Sequence, residues 1–142
     1  MLKLRKIGGL VVYDIDQARA VDFANRHHGT IAKSAADVAA EADVTISATW
    51  SRDPLLFLEN TAPGQHFTTL GFDQAGKSEL ASDLIRSAKL VVDDRELARS
   101  NGVLSGGLGD IAAATLSEIL RKDDPGRTDI SDRTIYASVG LP

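Results

Sequence analysis

The chain contains no cysteine, which excludes disulfides, thiolate metal sites and a cysteine nucleophile together. Histidine is scarce, limited to His27, His28 and His66, and the first two are neighbours that point to different sides of a helix. A metal centre therefore has little support. Aromatic residues make up 5% of the chain, and Trp50 is the single tryptophan. No run of Lys and Arg forms a footprint for a phosphate backbone, and 16 basic residues stand against 20 acidic ones for a formal charge of -4. Nucleic acid is not an expected partner. No stretch approaches the ~18 consecutive apolar residues of a membrane span, and the opening "MLKLRK" lacks the apolar core of a signal peptide. These absences predict a soluble chain with no membrane partner, at home in the cytoplasm.

What is present suits one domain. A chain of 142 residues should bury roughly two-thirds of its unfolded surface, enough for a core without covalent staples. Apolar runs rich in β-branched residues recur at 10–14, 44–49, 66–71 and 89–94, with a weaker one at 29–33. Helix-length segments lie between most of them. The segment "DQARAVDFANRHHG" opens on Asp16 as an N-cap and closes on Gly29, and "SAADVAAEA" starts with Ser34 three residues before Asp37. Near-continuous hydrophobic strands alternating with helices predict an α/β fold with a mostly parallel sheet covered on both faces. After residue 94 the pattern turns helical, in "DRELARSNG" and "DIAAATLSEILRK", so the last third reads as helical cover.

In a doubly wound sheet the ligand lies outside the carboxyl ends of the strands. That rule selects Asp14, Thr49 with Ser51, the loop from Gly71 to Lys77, and Asp93 with Asp94. Asp14 in "VVYDID" suits the acid that accepts hydrogen bonds from a ribose and repels a 2′-phosphate, although an Asp at such a place is more often a plain turn or near-cap residue. In "LGFDQAGKSEL", Asp73 and Lys77 stand between glycines, with Gly71 after a strand and Gly76 before a helix. A carboxyl group there could move a proton beside a ligand, or simply belong to a polar turn. Asp93, Asp94, Arg95 and Glu96 read as a solvated helix start. Gly8 and Gly9 read as a turn, and "SGGLGDI" as a loop, since no strand feeds it. Trp50 could line an adenine pocket, although a lone tryptophan more often packs.

Taken in order, "VVYDIDQARA", "ADVTISAT", "PGQHFTTLGFDQAGKSEL", "LVVDDRELARS" and "TIYASVG" resemble the ornithine cyclodeaminase and mu-crystallin family over nearly the whole chain. The resemblance implies a Rossmann-like domain binding NAD or NADP, in dimers that also carry an N-terminal substrate and dimerisation domain. It implies the family reaction, NAD-dependent conversion of L-ornithine to L-proline and ammonia, or that of its alanine dehydrogenase and ketimine reductase relatives, on a small amino acid substrate. By resemblance Asp73 is the catalytic proton donor. Leu70, Gly71 and Phe72 supply backbone around the nicotinamide ribose, Lys77 stands beside the cofactor, Asp14 is the adenosine-ribose acid and Thr49 a cofactor contact. Ser138 closes over the nicotinamide and Val139 over the substrate.

The family's first strand and its G-x-G-x-Q phosphate loop find no counterpart here, nor does its substrate domain. Residues 1–142 are therefore expected to form a partial dinucleotide-binding domain, inactive alone because the amides that hold a pyrophosphate are missing. In strand order 3-2-1-4-5-6 the missing strand is the central one. The sheet is then expected either to close directly between the strands at 10–14 and 44–48 or to borrow a strand, which makes a homo-oligomer or association with another domain the expected state. A non-catalytic interaction module is the competing reading.

Overall fold

The computed structural model of the chain describes residues 6–72, 74 and 76–140. The first strand, β1 (Val11–Val12), leads into helix α1 (Gln17–His27), whose N-cap Asp16 accepts from the backbone N–H groups of Ala18 and Arg19. The helix ends one residue earlier than the glycine pattern predicts. His28 takes the left-handed cap at φ 56°, and the Gly29 N–H reaches back to the Ala24 carbonyl at 2.8 Å. Strand β2 (Thr30–Ile31) follows, then helix α2 (Ala35–Glu41) capped by the Ser34 side chain on the Asp37 N–H. Both helices begin where a short polar side chain satisfies an otherwise orphaned amide.

The main sheet comprises β3 (Val44–Ser47), β4 (His66–Thr69), β5 (Lys89–Val92), β6 (Ala113–Thr115) and β7 (Thr134–Ala137). Its order is β3-β4-β7-β5-β6, with every pairing parallel. Helix α3 (Ser82–Arg86) precedes β5, α4 (Arg95–Ser100) follows it, and α5 (Leu116–Arg121) follows β6. A parallel sheet with intervening helices is the α/β, Rossmann-like class that the sequence predicts. Among the described residues no helix is long and apolar enough to cross a membrane.

The register explains where the core lies. Phe67, Ile135 and Leu90 stand side by side across β4, β7 and β5, and Thr69, Ala137 and Val92 form the next row toward the carboxyl edge. All six are buried. At about 1.5–3 kcal/mol for each large side chain removed from water, the Phe67–Ile135–Leu90 row is a principal source of cohesion. The alternate residues, His66, Thr68, Thr134, Tyr136, Lys89 and Val91, are only half-buried. One face is thus sealed and the other partly open, where equal cover was expected. The period-2 placement of polar side chains accounts for the difference.

Three further expectations are corrected. The last third is not helical cover, because it contributes β6 and β7, and β7 lies in the middle of the sheet. The sheet does not close between residues 10–14 and 44–48. Strands β1 and β2 form a separate two-stranded sheet, and β3 has neighbour β4 on one side only. Gly76 does not open a helix: it turns the chain at φ 82°, and the next residues pass without regular structure to a parallel bridge between Leu80 and Leu56 before α3 begins.

Candidate functional site

Parallel strands present all their carboxyl ends at one edge. Here that edge carries, in sheet order, Thr49 beyond β3, Leu70–Phe72 beyond β4, Ser138 and Val139 beyond β7, and Asp93 beyond β5. Backbone bonds continue the ladder past the strands. The Leu70 N–H donates to the Ser47 carbonyl at 2.9 Å, and the Ser138 N–H to the Thr69 carbonyl at 3.1 Å. The predicted cofactor contacts Thr49, Leu70, Gly71, Phe72 and Ser138 are thereby brought to one edge, with the predicted substrate contact Val139. The predicted catalytic residue, Asp73, lies outside the described residues.

Beneath that edge sits Glu79, a residue to which the sequence reading gives no role. It has no solvent exposure. Its carboxylate accepts from the Ser47 hydroxyl at 2.9 Å, the Thr49 N–H at 2.5 Å, the Thr69 hydroxyl at 2.5 Å and the Gly71 N–H at 2.9 Å. Burying a carboxylate is costly unless it is well hydrogen-bonded, and these four donors meet that need. Gly71 must be glycine for this arrangement, since a Cβ there would stand 2.5 Å from the Glu79 Cδ and 2.7 Å from the Thr49 carbonyl oxygen. The only signal in the sequence is an acid set beside the apolar "LA" that follows it.

The flanks of the 70–80 loop differ in character. Leu70 is exposed, whereas Phe72 is buried in the core cluster. Lys77 is half-buried, and its Nζ stands 4.0 Å from the ring centroid of Trp50. Trp50 is 81% exposed, so it serves as a surface partner for the ammonium and not as core packing. The Ser78 N–H donates to the Ser51 carbonyl at 3.0 Å, which ties the segment after β3 to the loop after β4. The Thr49 hydroxyl accepts from the Ser51 N–H. A cleft of about 200 Å³ opens beside the loop, lined in part by Arg52, Phe72, Lys77 and Gly102.

Asp93 is not the solvated helix-start acid that the sequence suggests. The helix cap is Asp94, which accepts from the N–H groups of Glu96 and Leu97. Asp93 turns the other way and accepts from the Ser138 hydroxyl at 2.7 Å and from the N–H groups of Val139 and Gly140 at 2.9 and 3.0 Å. Partial burial works against its charge, but the hydrogen bonds from Ser138, Asp94, Gly140 and Val139 outweigh it and lower the pKa. A strand-end carboxylate therefore fixes the segment carrying Ser138 and Val139, much as Glu79 fixes Thr49 and Gly71.

Asp14 stands apart, at the end of β1 in the smaller sheet. Its Oδ1 accepts from the Asp16 N–H at 2.8 Å, a turn that aims the chain into α1. It also lines an open cleft of about 580 Å³ with Tyr13, Ile15 and Lys33. The bond to Asp16 is that of the turn residue that the sequence also allows.

A parallel sheet with polar side chains gathered at its carboxyl edge defines a Rossmann-like α/β domain with a crevice at the strand ends. The chain belongs to the ornithine cyclodeaminase/mu-crystallin family, whose match covers residues 1–142. It is 33% identical over 144 residues to an alanine dehydrogenase of Archaeoglobus fulgidus, covering 95% of this chain and 45% of that one. Among solved structures it resembles an archaeal alanine dehydrogenase dimer with bound NAD, at a TM-score of 0.86 and 29% identity, over 99% of this chain and 47% of the other. It also resembles the Δ1-pyrroline-2-carboxylate reductase of Thermococcus litoralis in complex with NADH and L-proline, at a TM-score of 0.87 and 28% identity, again over 99% of this chain and 47% of the other. The chain spans under half the length of each of these relatives.

Proposed function

We propose that this chain is the dinucleotide-binding portion of an NAD-dependent oxidoreductase that interconverts a small amino acid and its imine. The observation that carries this reading is the carboxyl edge itself, where Thr49, Gly71 and Ser138 are held in line by Glu79 and Asp93. Family membership and the NAD-bound and NADH-bound relatives support it. In the oxidative direction the α-carbon gives a hydride to NAD⁺, its nitrogen gives up a proton, and NADH and an imino acid result. Asp73 is the residue we assign to proton movement, and Asp14 the acid toward the adenosine ribose, which favours NAD over NADP by repelling a 2′-phosphate.

Conversion of L-ornithine to L-proline and ammonia begins with the same hydride step, and the family description keeps it as a second reading. The alanine dehydrogenase relative favours the simpler dehydrogenase. Selection of the amino acid belongs, in this reading, to a substrate-binding part that pairs with this domain, in an oligomer such as the NAD-bound dimer of the relative. Its place of work is the cytoplasm.

A nitrogen-15 amide spectrum followed during NAD⁺ titration tests the proposal, because it registers weak as well as tight binding. Shifts concentrated at Asp14, Thr49, Gly71 and Ser138, and smaller with NADP⁺ at equal concentration, are expected. No saturable shift, or shifts confined to other residues, would overturn it.

A further inference from the structure

We infer that Glu79 is a positioning residue: from inside the protein it sets which way the peptide planes at the ends of β3 and β4 face, and so shapes the rim offered to the dinucleotide. The inference rests on the proposed function for the ligand, though not for the geometry. Glu79 has no exposure, and all four of its partners are uncharged donors. Among the described ion pairs none includes it. An apolar side chain would fill such a site without the desolvation cost of a carboxylate, so cohesion alone does not explain the acid.

What the acid does is bind two main-chain amides just past the ends of neighbouring strands. Its Oε1 takes the Thr49 N–H and its Oε2 the Gly71 N–H. In a planar trans peptide the N–H and the preceding C=O point in opposite directions. With both N–H groups turned in to Glu79, the carbonyls of Ala48 and Leu70 are turned away from it. They become acceptors for hydroxyl or amide hydrogens of a ligand. The missing side chain of Gly71 is part of the same arrangement, since any Cβ would collide with the Glu79 carboxylate. The Ser47 and Thr69 hydroxyls complete the shell and hold Oε2 in place.

Glu79→Gln is a sharp test because glutamine has one acceptor oxygen where glutamate has two. Whichever way the amide group turns, its NH₂ faces one of the two backbone N–H groups. The Gly71 or the Thr49 amide resonance should move upfield and lose its protection from exchange, and NAD⁺ affinity should fall at least about tenfold, the scale of one lost hydrogen bond to a charged group. Leu84→Ala, in the core of α3, serves as the stability control. It should lower the melting temperature while leaving both amides and the affinity unchanged. A trans-hydrogen-bond coupling between the Gly71 nitrogen and the Glu79 carboxyl carbon, read in the unaltered protein, needs no variant and should be present.

Absence of that coupling, or unchanged Thr49 and Gly71 amides in Glu79→Gln, overturns the inference. So does an equal loss of affinity in Leu84→Ala at an equal fall in melting temperature, since Glu79 would then act through stability alone. If the unaltered protein binds no dinucleotide, the functional reading fails on its own, and the two amide resonances still decide whether Glu79 orients the strand ends.

Discussion

At the scale of single residues, two strand-end carboxylates do most of the organising, and each makes a separate prediction. Gly71→Ala would push a methyl group to within 2.5 Å of the Glu79 Cδ. Overpacking of that kind costs about 1–3 kcal/mol, and thermal denaturation should show a lowered midpoint together with perturbed amides at Thr49 and Ser47. Asp93 offers a test through pH. Its folded pKa lies below the ordinary value of 3.8, so its contribution to stability is present above that value and is lost as the pH falls through the folded pKa. Asp93→Asn should therefore be less stable than the parent near neutrality, with the two urea-unfolding curves converging in acid. A gap that stays constant down to the acid limit would show that the hydrogen bonds to Ser138, Val139 and Gly140 do not depend on the charge.

At the scale of elements, helix α5 shows how local chemistry and distant pairing meet. Thr115 ends β6 and caps α5 in a reciprocal box with Glu118. The backbone N–H of Thr115, the guanidinium of Arg95 and the Thr115 hydroxyl hold the Glu118 carboxyl down to about 2, from an ordinary 4.5. That contribution is complete above the unfolded value and disappears as the pH falls from about 4.5 to about 2. Glu118→Gln should flatten the acid limb of the stability curve across that interval, which a series of chemical melts would measure. The elements that the sequence reveals are the ones settled locally. Asp16 and Ser34 announce α1 and α2 because a cap acts within three residues. By contrast, "AAT" at β6 carries helix-forming alanines and becomes a strand only by pairing with β5, and "TIYA" at β7 is set off from α5 by the polar loop 122–133 and takes its place only by pairing with β4 and β5. Tertiary pairing overrides propensity at both. The site was legible to a similar degree: the strand-end rule selects Thr49, Gly71, Phe72 and Asp93, the family resemblance adds Leu70 and Ser138, and neither points to Glu79 or to the bonds that Asp93 makes. Their partners lie 8 to 32 and mostly 45 to 47 residues away, beyond any local pattern.

At the scale of the whole molecule the division into two sheets governs which parts open first. Strands β1 and β2 share only two residue pairs, and Ile15, Ile31 and Phe23 around them stay exposed. The five-stranded sheet, in contrast, rests on the sealed rows through Phe67 and Thr69. Hydrogen exchange should therefore find the Thr30 and Ala32 amides exchanging well before those of Phe67, Leu90 and Ile135. Uniform protection across both sheets would show that they open as a single unit. The position of β7 has a consequence for synthesis as well. Among the described residues it is the last strand in the chain, yet it separates β4 from β5. While the nascent polypeptide leaves the ribosome, those two strands have no common neighbour, and their edges remain open to other chains. A chaperone that covers them until residues 134–137 emerge would act at the moment when this protein is most exposed to aggregation.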